Sequence, residues 1–88
     1  MHFEFFFPDA HSLKEKRMIL RRLKDGLGAR FNVSVAEVGF QDLWQRALLA
    51  VALVSNSRAS VEQQASRVIQ EVEQITPSEL VRHHVEYW

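Results

Sequence analysis

Residues 2–7 alternate strictly, with Phe3, Phe5 and Phe7 at one parity, His2, Glu4 and Phe6 at the other, and Pro8-Asp9 immediately after. Period-two alternation closed by a turn pair predicts a strand with one buried face. Ser12-Leu13-Lys14-Glu15 fits a capping box. Leu13, Ile19, Leu20, Leu23 and Leu27 then recur at helical spacing, predicting a helix that stops near Gly26 and Gly28. Residues 32–40 are valine-rich with period-two character, but Glu37 and Gly39 share parity with Val33 and Val35, which predicts a bulge or an edge position.

Residues 47–55 are apolar on both parities, Leu49, Val51 and Leu53 opposing Leu48, Ala50, Ala52 and Val54, as a central strand requires. Asn56 or Ser57 can cap a second helix with the stripe Val61, Ala65, Val68, Ile69, Val72 and Ile75, broken by Thr76-Pro77. Residues 80–88 close the chain as a last strand. The order βαββαβ predicts one α+β domain over residues 1–88, a ferredoxin-like sandwich with a four-stranded antiparallel sheet and two helices on one face. Its sheet order, 4-1-3-2, brings the turn after the first strand and the connection between the second and third to one pole. The outward parity would leave Phe6, Leu48, Ala50, Ala52 and Val54 uncovered, which predicts a homodimer or higher homo-oligomer through the open sheet face.

Composition narrows the class. The 88 residues are 47% hydrophobic and 25% charged, with zero formal net charge and no cysteine, which describes a folded domain without disulfides, thiolate metal sites or cysteine nucleophiles. No apolar run approaches the roughly 20 residues of a membrane span, and residues 1–8 lack the basic start of a secretory signal, so a cytoplasmic setting is expected, without membrane association. The charge is unevenly placed: the first helix is basic and the second acidic.

At about 100 degrees per residue, Lys14, Arg17, Arg21 and Lys24 fall within about 80 degrees of one another. The stripe is either a solvated face beside the acidic second helix or a track for a phosphate backbone. Lys16 falls inside the apolar arc, where an ammonium needs a partner, and Asp42 is the carboxylate expected to meet it. The competing expectation is an anion site at the helix amino terminus, with donors from His11, the amides after Ser12, Lys14, Lys16, Gln45 and Arg46. Trp44, with Asp42 and Gln45 beside it, sits in a connection too long for a tight turn, where it can cap the core or stand out as a partner contact. His2, Glu4, His84 and Glu86 can approach on the open face, but His83 and His84 point to opposite faces, so neither a metal nor another cofactor is expected. Nothing in the sequence spells a nucleophilic or acid-base catalytic motif.

Residues 10–17 (Ala10-His11-Ser12-Leu13-Lys14-Glu15-Lys16-Arg17), 30–38, 41–47 and 51–56 together resemble the YlxP-like family of small uncharacterised bacterial proteins, while the run Phe5-Phe6-Phe7 departs from its pattern. The resemblance spans most of the chain. It implies a ferredoxin-like fold and a gene neighbourhood of translation initiation and ribosome maturation, with no established activity. Sequence and resemblance together predict a non-catalytic binding module whose basic helix and Trp44 end contact RNA or a ribosome-associated partner. The alternatives are an enzyme or sensor for a small phosphorylated or carboxylated ligand at the end carrying His11, Lys16 and Arg46, and an interaction subunit whose apolar sheet meets a different protein.

Overall fold

A computed structural model describes residues 1–77 and 79–87. Its elements run β1 (His2–Phe6), α1 (Leu13–Arg30), β2 (Val33–Gly39), β3 (Arg46–Leu53), α2 (Arg58–Ile75) and β4 (Leu80–His84). The sheet order is β2-β3-β1-β4 and every neighbouring pair is antiparallel. The chain therefore has the ferredoxin-like α+β architecture, with both helices packed on one side of the sheet.

The alternation in β1 determines which side that is. Phe3, Phe5 and Phe7 are buried and stack successively, with ring centroids 6.5 and 5.7 Å apart. Leu20, Leu23 and Leu27 of α1, Val68 and Val72 of α2, and Leu49 and Val51 of β3 complete this core. Truncating a buried phenylalanine to alanine typically costs about 3–5 kcal/mol, so this row dominates the packing energy of a small domain.

Both helices begin as their sequences predict. Ser12 Oγ accepts from the Glu15 amide at 3.1 Å, and the Glu15 carboxylate reaches back to the His11 amide at 2.6 Å. Of the two candidate caps for α2, Ser57 serves, accepting from the Ser60 amide at 3.2 Å. The end of α1 differs from expectation, because the helix runs through Gly26 and Gly28 to Arg30. Leu27 is fully buried, and a Cβ on Gly26 would lie 3.1 Å from Ile75 Cδ1, so packing against α2 holds a stretch whose glycines favour stopping.

β2 is an edge strand, and the register shifts between Glu37 and Gly39, so both features read from its broken parity are present. Gly39 faces Leu48 so closely that a Cβ there would lie 3.0 Å from Leu48 Cδ2. β4 is shorter than expected. It ends at His84, and Tyr87 lies beneath the Arg58 guanidinium, 4.5 Å from ring centroid to Cζ, instead of extending the sheet. The last expected strand position, Trp88, lies outside the described residues.

Candidate functional site

The turn after β1 and the β2–β3 connection meet at one pole. The Phe7 amide donates to the Gln45 carbonyl at 2.7 Å, and Gln45 Nε2 donates to the Pro8 carbonyl at 3.0 Å. The Phe6 amide donates to the Glu79 carbonyl at 2.8 Å, joining the α2–β4 turn to the same pole. The segments carrying His11 and Trp44 therefore share one pole, although the two residues are 33 positions apart in sequence.

Lys16 anchors this pole from inside. Its side chain is 1% exposed, with Nζ 2.9 Å from Glu37 Oε2. The ammonium also donates to the carbonyls of Phe40, Arg46 and Gln41 at 2.9, 3.2 and 3.3 Å. The expected partner, Asp42, is exposed on the connection and does not meet it. The correction follows from strand parity: Glu37 points with Val33 and Val35 toward the helices, whereas Asp42 lies beyond the bulge on an outward loop. The signal was in the sequence, as an acid at an inward strand position and a lysine at an inward helix position. Glu37 Oε2 receives no hydrogen bond of good geometry, so the pair is held chiefly by charge.

The donors expected to form an anion site are not brought together. Lys16 is committed inward, and the His11 amide just before the helix already donates to the Glu15 carboxylate. Arg46 lies on the open sheet face, its guanidinium 2.6 Å from Glu4 and 4.2 Å above the Phe40 ring. Arg82 approaches the other Glu4 oxygen at 3.7 Å. Sequence reasoning missed this Arg46–Glu4–Arg82 group, although the pairing of β1 with both β3 and β4 makes Glu4 their common neighbour.

Two surface features at the pole remain available. Lys14, Arg17, Arg21 and Lys24 are all exposed on α1. Among the described residues none of the four makes an ion pair, the α1–α2 bridge being Arg30 to Glu71 at 3.2 Å. The stripe spans roughly 15 Å of helix. Trp44 stands out from the core at 53% exposure. With Phe6, Asp42, Leu43, Gln45 and Arg46 it borders an open groove of about 480 Å³. His2 and His84 face one another across β1 and β4, and His84 Nε2 lies 3.2 Å from Glu86.

Among the described residues no helix is long and apolar enough to cross a membrane. The chain is similar to "Uncharacterized protein YlxP" of Bacillus subtilis (strain 168), with 46% identity over 66 residues that cover 75% of this chain and 72% of the relative. Residues 1–85 match the family described as "Protein of unknown function (DUF503)". On that match, with the βαββαβ fold and the polar segments gathered at one pole, the chain belongs to this family of small proteins of unknown function.

Proposed function

We propose that this protein is a non-catalytic RNA-binding module that works with the translation or ribosome-maturation machinery in the cytoplasm. The observation that carries the reading is the stripe of Lys14, Arg17, Arg21 and Lys24, exposed and without acidic partners among the described residues. In a chain of zero net charge, unpaired cations gathered on one helix face make a local positive field, which attracts a phosphate backbone. Such contacts position a protein without reading sequence, so the partner is recognised by backbone and shape. Trp44 offers a second contact around the pole, where an aromatic ring can stack on an unpaired base. Lys16 and Arg46, the cations an anion-handling enzyme would use here, are already held by Glu37 and Glu4.

The test is binding of purified protein to ribosomal RNA fragments and to small ribosomal particles, comparing the native chain with K14E/R17E/R21E. The three side chains point to solvent, and acidic residues suit the first turns of a helix, so the variant should fold, which circular dichroism checks. We expect affinity to fall at least tenfold, the scale of losing several phosphate contacts. Equal binding by the two proteins refutes the reading.

A further inference from the structure

We propose that the open face of the sheet is a self-association surface and that its occupant is a second copy of this chain. β2, β3 and β1 present there Phe6, Val38, Leu48, Ala50 and Ala52, with Val54 exposed just past the end of β3. Phe6, Val38 and Val54 are 45, 50 and 86% exposed. Small residues occupy the middle, where Ala36 pairs with Ala50 and Ser34 with Ala52, while Phe6 and Leu48 stand at one end and Val54 at the other. A shallow middle between raised ends lets two such layers approach to the usual ~10 Å of packed sheets.

Charge selects the occupant. The ionic groups flanking this apolar strip close on each other within one copy, Glu4 lying between Arg46 and Arg82. A second copy therefore meets few uncompensated like charges, and zero net charge removes long-range repulsion between copies. A polyanion would instead be drawn to the unpaired cations of α1, on the other side of the sheet. The size fits a reversible dimer. Three strands at ~4.8 Å spacing and eight residues at ~3.3 Å give about 400 Å² in plan. With side-chain relief, two copies approach about 1,000 Å² of buried surface, the lower range of specific interfaces.

The experiment is light scattering and sedimentation of the purified chain across a concentration series from low micromolar to near-millimolar. We expect the mass to rise from 10.3 kDa toward twice that value. Ala52→Glu, on the exposed face, should hold the mass at one chain while circular dichroism stays native. Met18→Glu, exposed on α1, should leave the dimer intact. A monomer at every concentration overturns the proposal, as does a dimer that Met18→Glu dissociates and Ala52→Glu does not. A monomer that takes up an RNA oligonucleotide only while Ala52 is unchanged also overturns it, by giving the face to nucleic acid. Because the mass measurements on the chain alone need no RNA, self-association stands or falls independently of the RNA-binding reading.

Discussion

Lys16 Nζ and Glu37 Oε2 lie 2.9 Å apart across the boundary between α1 and β2, with the lysine side chain 1% exposed and the glutamate 18%. The same ammonium gathers carbonyls from Phe40, Gln41 and Arg46, so one buried charge ties the helix to both ends of the β2–β3 connection. Phe40 sits within that span at φ 57°, a left-handed conformation that a non-glycine residue adopts only where its surroundings hold it. The pair thus fixes where the outward residues of the connection, Trp44 among them, stand.

Removing both partners of this pair should cost less than the two single removals added together. Lys16→Met leaves a carboxylate and three carbonyls without their cation, a loss of about 3–5 kcal/mol. The double variant K16M/E37L should lose less than the sum of the two single changes, with a coupling energy of about 1–3 kcal/mol. Urea unfolding of the four proteins measures this, and strict additivity would show that the pair is not energetically linked.

Two glycines should respond oppositely to alanine. Gly28 lies in α1 with nothing within 4 Å of a built Cβ, so Gly28→Ala should stabilise by up to about 1 kcal/mol through helix propensity and a less flexible unfolded chain. Gly39→Ala brings a Cβ to 3.0 Å from Leu48 Cδ2 and 3.2 Å from Leu48 Cβ, and should destabilise by about 1–3 kcal/mol. Thermal melts of both variants decide it. A shift of the same sign in each would contradict the packing described at the bulge.

The free Met1 amine donates to the Val51 carbonyl at 2.9 Å, and partial burial holds its pKa below the usual 8.0, with Glu86 pulling it the other way. The folded chain therefore releases this proton at lower pH than the unfolded chain. Between the two values the unfolded state carries more protons, so stability rises with pH across the window just below 8.0 and levels off above it. The measurement is the stability difference between the free and N-acetylated chains from about pH 6 to about 9, which isolates the amine from every other group. That difference should move in favour of the free amine as pH rises, and a constant difference would show that burial there exacts no cost.

Salt dependence separates the contacts proposed for RNA. Each phosphate neutralised by the α1 stripe contributes about −0.7 to −0.9 to the slope of log affinity against log salt. Arg17→Ala should flatten the slope by that amount, whereas Trp44→Ala should weaken binding with the slope unchanged. Titrations at several salt concentrations read both, and an Arg17→Ala slope equal to the native one would remove this helix from the interface.

Much of this architecture could be read along the chain because its causes are local. The phenylalanine alternation of β1, the Ser12–Glu15 capping box and the two-sided apolar run of β3 each act over a few residues, and their order leaves little choice of topology. The remaining details depend on how positions distant in sequence come together. Lys16 chose Glu37 over Asp42 because strand parity in β2 points Glu37 inward, while Asp42 lies past the bulge on the exposed loop. Arg46 went to Glu4 because its strand parity sends the side chain to the open face, away from the helix terminus. α1 outlasted its glycines because Leu27 gained a core, and the chain after His84 left the sheet for Arg58. Periodicity and capping are written within one turn or one pleat and so survive reading in one dimension. The choice of charge partners and the point where an element ends follow from free energies of burial and pairing that arise only when distant segments come together.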